Sequence, residues 1–335
     1  MENDIEILKS KFEVKEFWFN PKTKKHTPFF YIKQKLYLLA NIFSCRMMIV
    51  MFGGHHSLLP ALFGKLFGKP CLIICGGTDC VSFPSIGYGN FRGGWLSVVT
   101  RWSYKLAMHL APVHKSLTGY EYTYDDSDFK KQGIISFMPD LKTPMTVINY
   151  GFDPDKWMES KVKISNSFIT VAAGLDKPYR SKLKGIDLIL QTAAHFPDAV
   201  FTIIGCPDNY KLPVMSSNIK TYSFVSNAEL KDIYNKHEFY LQVSMSEGFP
   251  NAICEAMTCG CIPIGSNVGG IPDIIGDAGF ILMKRDASQF RNLLAEAIRC
   301  DKKSFSAKAR SRIMEKYPKD LRRGQLLNLV DKLIN

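Results

Sequence analysis

The sequence predicts an α/β protein made of two doubly wound parallel sheets facing each other across a cleft. Three observations predict it. Short β-branched apolar runs alternate with helix-length segments along the whole chain, the rhythm of right-handed βαβ units. The runs are almost continuously apolar, as strands covered on both faces must be. The 335 residues suit two domains, each large enough to bury a core, with a Pro-, Asp- and Lys-containing break at 151–166 between them.

The first half offers strands at 12–19, 47–52, 71–75, 110–114 and 145–150, with helices at 57–67 and 95–109. The second half offers strands at 167–172, 200–204, 238–244, 261–264 and 279–282, with helices at 185–195, 228–236, 251–258 and 287–300. The expected domains are 1–155 and 165–315, and a last helix, 316–335, packs back toward the first. Ligands of open α/β sheets bind outside the carboxyl ends of the strands. Two facing sheets therefore hold one substrate each.

At 46% hydrophobic and 22% charged residues, the chain has too much apolar content to be disordered. Its nine cysteines lie mostly in apolar runs and read as buried thiols of a reducing cytoplasm, not a disulfide framework. They lack the second ligand pair of a zinc site, so no metal is expected. No apolar run reaches the roughly 20 residues of a membrane span, and the opening Met1-Glu2-Asn3-Asp4 is acidic where a signal peptide is basic. The expected location is cytoplasmic.

The net charge of +12 is uneven. Between Lys9 and Arg46 there are nine basic residues against two acids, and between Asp301 and Gly324 nine against three. The second cluster reads as a solvated helix surface. The first is interleaved with Phe29, Phe30, Tyr31, Ile32, Leu36, Tyr37, Leu38, Leu39 and Phe43, a mixture that suits an anionic membrane surface, here the inner face of a membrane. No nucleic-acid motif accompanies the charge, so nucleic acid is not an expected partner.

The densest segment is 244–257, Ser-Met-Ser-Glu-Gly-Phe-Pro-Asn-Ala-Ile-Cys-Glu-Ala-Met. A buried strand ends at Ser244, Gly248 permits close backbone approach, and Pro250 suits a first helical turn. The N-terminus of that helix seats phosphate or sugar oxygens. Glu247 lies on the loop before it. Glu255 lies inside the helix, where a carboxylate can accept hydrogen bonds from a diol such as a ribose. By spacing alone, two acids at a helix start are ordinary.

This run, followed by Gly260-Cys261-Ile262-Pro263-Ile264-Gly265 and Gly269-Gly270-Ile271-Pro272-Asp273-Ile274-Ile275, closely resembles the retaining glycosyltransferases of family four. The resemblance implies the GT-B fold, with two Rossmann-like domains around a central cleft. It casts Glu247 and Glu255 as the two glutamates separated by seven residues, the second on the nucleotide ribose and the first beside the donor sugar. The backbone of Gly248 and Phe249, with Pro250 and Asn251 after them, would contact sugar and phosphate. Lys184 before Gly185, with Arg180 upstream, is similar to the pair that grips the diphosphate, although 176–183 looks inserted. Gly205 would form the turn beneath the nucleotide, Val225 within 222–226 would flank the base, and 148–153 resembles the hinge that closes the first domain.

In the first half, Gly53-Gly54-His55-His56-Ser57 and Gly76-Gly77-Thr78-Asp79 each follow a strand and form the acceptor-side loops. His56 and Asp79 are the candidates for positioning the acceptor hydroxyl or taking its proton; packing or capping is the other reading for His55 and His56. Tyr88 and Arg92, on the long loop 81–94, are acceptor candidates. The strand and Gly-rich loop that open the family's first domain have no counterpart before Asp4. The implied function is transfer of a sugar from a nucleotide sugar to a glycan or lipid-linked acceptor in cell-surface polysaccharide synthesis. It needs no cofactor or metal, because Lys184 and Arg180 supply the charge. A sugar-nucleotide epimerase or an inactive membrane-associated scaffold would use the same fold.

Overall fold

The computed structural model of the chain describes residues 2–21, 23–157, 162–207, 212 and 216–335. Helix α1 (Glu2–Lys9) opens it, followed by α2 (Thr27–Asn41), whose first turn contains Pro28, where a missing N–H costs nothing. Next come β1 (Met48–Met51), α3 (Leu58–Phe67), β2 (Cys71–Cys75), α4 (Gly94–Leu106) and β3 (His109–Pro112). The three strands form a parallel sheet in the order β1-β2-β3. Central β2 is buried at all five residues, which explains its unbroken Cys-Leu-Ile-Ile-Cys. An antiparallel ribbon, β4 (Tyr120–Glu121) with β5 (Lys131–Gln132), and the short α5 (Ile134–Phe137) complete this half.

The second half runs β6 (Ile164–Val171), α6 (Pro178–Leu183), α7 (Ile186–Ala193), β7 (Val200–Ile204), β8 (Ile219–Tyr222), α8 (Asn227–Asn235), β9 (His237–Gln242), α9 (Asn251–Thr258), β10 (Ile262–Ser266), α10 (Ile271–Ile275), β11 (Phe280–Leu282), α11 (Ala287–Arg299), α12 (Lys302–Lys316) and α13 (Lys319–Ile334). Its six strands are all parallel, in the order β11-β10-β9-β6-β7-β8. Chain direction along the sheet reverses between β6 and β9, which makes that pair the topological switch point where ligands of such sheets bind. Phe168 on β6 stacks on Phe201 and Phe239, each at 4.9 Å, and fixes the sheet's centre.

The carboxyl ends of the two sheets meet. A Cβ on Gly248 would lie 2.7 Å from the Gly76 carbonyl, so only glycine lets these loops approach so closely. His114 beyond β3 reaches Asp273 on α10 at 3.1 Å. Helix α13 returns to the first half. There Arg322 makes a bidentate pair with Asp4 at 2.6 and 2.7 Å, donates to the carbonyls of Ile148 and Asn149 at 2.9 Å, and lies over the Tyr150 ring.

Several elements differ from the sequence expectation. Segment 12–19 has no regular secondary structure and pairs with no strand. Its aromatic residues pack on other rings, Phe17 on Tyr37 at 5.1 Å and Phe19 on Tyr31 at 5.3 Å. Segment 145–150 runs beside β3 through Leu110 and Pro112 but makes only one bridge. Residues 176–183, which look inserted in the sequence, contain helix α6. Of the expected break at 151–166, residues 158–161 lie outside the described residues; Phe152 pairs with Pro318 and Trp157 is buried.

Candidate active site

The switch point brings together the loops that leave β6 and β9. Helix α6 lies over them, and Arg180 and Lys184 stand one turn apart on it, with the Lys184 amide donating to the Arg180 carbonyl at 2.9 Å. Arg180 Nε lies 3.9 Å from where a Cβ of Gly174 would be, just past β6. That nitrogen is buried with no hydrogen-bond partner, and among the described residues the guanidinium has no carboxylate partner. Lys184 crosses to the other loop and pairs with Glu247 at 2.6 Å, both side chains largely buried. Gly185 follows with φ +69, its α-carbon against Val243, where a Cβ would meet the Val243 carbonyl at 2.2 Å. Only glycine can turn the chain from α6 into α7 here.

Glu247 also accepts from Gln242 at 3.1 Å, and Gln242 in turn bonds Ser244 and Tyr240. The acid is therefore held by the end of its own strand. Gly248 and Phe249 continue the loop. Phe249 is buried in an aromatic cluster, edge-on to Tyr317 at 5.0 Å and Tyr150 at 6.1 Å and stacked with Phe152 at 6.3 Å. Its ring packs inside, and only its backbone is placed to meet a ligand. Pro250 is the N-cap of α9, one residue earlier than its expected first-turn place, with no side-chain cap on the amides behind it, and Asn251 is exposed. Those uncapped amides are donors for an anion.

The carboxylate of Glu255, in the second turn of α9, has no hydrogen-bond or ion-pair partner among the described residues, while its backbone carbonyl accepts from the Cys259 amide at 3.1 Å. Burial raises its carboxyl from an ordinary 4.5 to about 7, against a smaller downward pull from Lys156. Tyr240, pushed up mainly by burial, also senses both Glu247 and Glu255, so the two acids share the neighbourhood of one buried phenol.

The acceptor-side loops are tightly organised. Asp79 is buried, and its carboxylate is fully engaged: Oδ2 accepts from Gly53 N at 2.8 Å and Tyr104 Oη at 2.9 Å, Oδ1 from Gly77 N at 2.9 Å and Gly76 N at 3.1 Å. This corrects the expectation of an acceptor base at Asp79. With its lone pairs occupied by donors from two loops, it holds them together. His56 Nε2 donates to the Met51 carbonyl at 2.9 Å, which leaves Nδ1 as the neutral ring's acceptor. His55 stacks on Trp95 at 6.2 Å, and burial, then His56, lowers its pKa. Arg92 bonds the Gly87 carbonyl of its own loop.

Tyr88 reaches the donor side. It bonds Thr78 at 2.7 Å, lies 6.3 Å from the Tyr179 ring beside Arg180, and has its phenol raised by burial, with Glu247 and Arg180 adding opposite contributions. Thr78 is exposed on the loop that the sequence singled out, and His114 is the residue missed from the sequence. His114 accepts from Ser116 N through Nδ1 and gives Nε2 to Asp273. Its burial among residues distant in sequence left no local signal. Gly205, at φ +93, turns the chain under Ala172, and half-buried Val225 follows β8. Cys75, Asp79 and Cys80 place ligand atoms within 4.8 Å of one another. The only carboxylate there already accepts four hydrogen bonds, and burial drives the Cys80 thiol well up, so the set does not fit a cation.

Residues 178–315 match the family model described as glycosyl transferases group 1. The serotype-specific mannosyltransferase WbdA of Escherichia coli is 20% identical over 226 residues, 64% of this chain and 27% of that protein. The gpi3 subunit of phosphatidylinositol N-acetylglucosaminyltransferase of Schizosaccharomyces pombe is 27% identical over 143 residues, 39% of this chain and 30% of that one. The chain thus spans well under two thirds of these curated relatives. Among solved structures, sucrose-phosphate synthase from Thermosynechococcus elongatus superposes with a TM-score of 0.71 at 14% identity, covering 94% of this chain and 80% of that one. Anabaena HepE, solved in complex with UDP and glucose, gives 0.68 at 13% identity, covering 98% and 88%. The chain therefore has the fold of the GT-B glycosyltransferases, and its residues 178–315 are similar to the glycosyl transferases group 1 family.

Proposed function

We propose that the chain is a hexosyltransferase that moves a sugar from a nucleotide-sugar donor to a glycan or lipid-linked acceptor with retention of configuration and without a metal. One observation carries this reading: Arg180, a cation with no anion among the described residues, stands one helical turn from Lys184 at the switch point of the second sheet. Two cations there match the two phosphates of a departing nucleoside diphosphate and stabilise the charge that develops on it. Glu255 accepts the ribose hydroxyls. Glu247 holds Lys184 toward the phosphates and lies beside the sugar. The Gly248 and Phe249 amides, with the α9 terminus shaped by Pro250 and Asn251, meet sugar and phosphate oxygens. Gly205 and Val225 bound the base, for which uracil is the proposal on the strength of HepE's UDP complex.

The acceptor enters between the glycine loops that Asp79 ties together, with His56 Nδ1 available to a hydroxyl. The departing diphosphate takes the acceptor proton on the face it leaves from, which gives retention. Polysaccharide or glycolipid assembly is proposed from the names of the relatives, and the cytoplasmic side of a membrane as the location. The test is calorimetric titration with UDP and a panel of nucleotide sugars, followed by assay for diphosphate release. Binding by the native chain that Arg180→Ala and Lys184→Ala each weaken supports the reading. A folded chain that binds no nucleotide of the panel overturns it.

A further inference from the structure

Three surface helices of the first half carry apolar residues that nothing in the chain covers. On α2, Phe29, Ile32, Leu36 and Leu39, with Phe43 just beyond, recur at three- and four-residue steps and are 44–80% exposed. They form one stripe, opposite the buried Gln34 and Leu38 that attach the helix. On α4, Trp95, Val98 and Trp102 repeat the pattern at 51–62% exposure. Leu66 and Phe67 at the end of α3 are also exposed, and Phe67 meets Phe43 at 5.7 Å. Trp95 stacks on His55, and His55 meets Tyr31 of α2 at 6.0 Å, which joins the two stripes at their N-terminal ends.

The charge around these stripes is mostly of one sign; at their edge Glu16 accepts from Trp18 at 3.1 Å and pairs with Lys9. Between Phe17 and Tyr120 there are twelve lysines and arginines and a single acid, Asp79, which is buried. That stretch carries almost the whole net charge of +12. The cations stand over the exposed rings, Lys33 over Phe29 at 4.6 Å and Lys105 over Trp102 at 5.9 Å. Three of the chain's four tryptophans, Trp18, Trp95 and Trp102, are exposed on this half, and only Trp157 is buried. Exposed aromatic and aliphatic stripes framed by lysine and poor in acid match the interface of an anionic bilayer, where rings sit at headgroup depth and ammonium groups meet phosphates. A second copy of the chain fits less well. The α2 stripe covers only about two heptads, short of the three or four a coiled coil needs, and the excess of like charge would repel it.

We propose that α2, α4 and the end of α3 form a docking face for an anionic lipid bilayer, with Phe29, Phe43, Trp95 and Trp102 as interfacial anchors. This goes beyond the transfer reaction and is read without a donor, so it can fail or stand separately from that reaction. It also orients the molecule, because His55, on the acceptor loop, packs directly on the anchor Trp95.

The test is cosedimentation and tryptophan fluorescence of the full chain with phosphatidylcholine vesicles, with and without phosphatidylglycerol. The expected result is binding only when phosphatidylglycerol is present, weakened by salt, with a blue-shifted emission. Lys33→Gln/Lys35→Gln weakens partitioning about thirtyfold, at about fivefold per cation near an anionic surface. Trp95→Ser/Trp102→Ser loses most of the blue shift, whereas Lys303→Gln/Lys308→Gln on α12 binds as the native chain does. These variants change exposed side chains, and circular dichroism verifies their fold. Absence of binding at low salt, equal loss in the α12 variant, or a lipid-free dimer dissociated by Leu36→Lys overturns the proposal.

Discussion

Glu255 gives the sharpest test of the donor site, because it predicts that removing a binding residue stabilises the free protein. Burial disfavours its charged form, so the folded chain keeps the proton up to about pH 7 while the unfolded chain releases it near 4.5. Between those values the unfolded state binds fewer protons. Stability therefore falls as pH rises, and the loss is complete above the folded-state value. The gap of about 2.5 units corresponds to roughly 3 kcal/mol. Glu255→Gln keeps the shape and removes the charge. Its stability relative to the native chain is therefore near zero at pH 4.5 and rises toward an added 3 kcal/mol at pH 8. Urea denaturation of both proteins across that range measures the difference directly. Nucleotide binding moves the opposite way. A diol needs the ionised carboxylate as acceptor, so native UDP affinity rises with pH through about 7, while the glutamine variant binds weakly and shows no such rise. A stability difference that does not change with pH, or a variant that binds UDP as well as the native chain does, would refute the reasoning.

Lys184→Ala leaves Glu247 without its ion pair and the diphosphate without one cation; kcat in a donor-release assay falls about 10²–10³-fold, and Lys184→Arg recovers part of it. Arg322→Ala strands the buried carboxylate of Asp4 and frees two carbonyls, at a cost of about 3–5 kcal/mol, read as a lower urea midpoint, with cleavage between 316 and 319 by a limiting protease appearing first. Asp79→Asn places an amide NH₂ against two of the four donors; the chain loses roughly 2–3 kcal/mol while the KM for donor stays unchanged, whereas a catalytic base would lose kcat with its stability intact.

The second half was legible because its strands and helices carry their signals locally. Expected helix 251–258 is α9 to the residue, and expected strand 200–204 is β7. Continuous apolar strands identify themselves, and the glycine-bounded turns mark where they end. Strand 12–19 failed because Phe-Glu-Val-Lys-Glu-Phe-Trp-Phe alternates well enough for a strand, while sheet membership depends on a partner edge that no local pattern reports. The role of Asp79 failed for a related reason. An acid after two glycines looks like an exposed loop acid, and its three amide donors come from residues 53, 76 and 77 and its fourth donor from Tyr104. Two of these four come from outside its own loop. Lys184 and Glu247 lie 63 positions apart; the resemblance cast both as donor-site residues, but nothing in the sequence foretold that they pair. The exposed face of α4 was not legible in the sequence, because Trp95, Val98 and Trp102 recur at helical spacing as a buried face would, and only the fold shows them uncovered.

The site's position also connects the two halves mechanically. The chain crosses between them twice, at 150–152 and at 317–319, and the crossings are zipped together: the Phe152 amide donates to the Tyr317 carbonyl at 2.9 Å and the Lys319 amide to the Phe152 carbonyl at 3.0 Å. Tyr150, Phe152 and Tyr317 from those crossings are the rings that enclose Phe249. Phe249 is covalently next to Gly248, whose α-carbon touches Gly76 of the first sheet and whose carbonyl accepts from the Gly270 amide at 3.0 Å. A rotation of one half on the other about these crossings must move rings packed on Phe249. Because packed interiors deform in discrete steps and not continuously, that motion is transmitted to the Gly248 and Phe249 backbone amides proposed above to meet the donor. A large-to-small change at Phe152 or Tyr317 would loosen that linkage while leaving every ligand-facing group of the site in place.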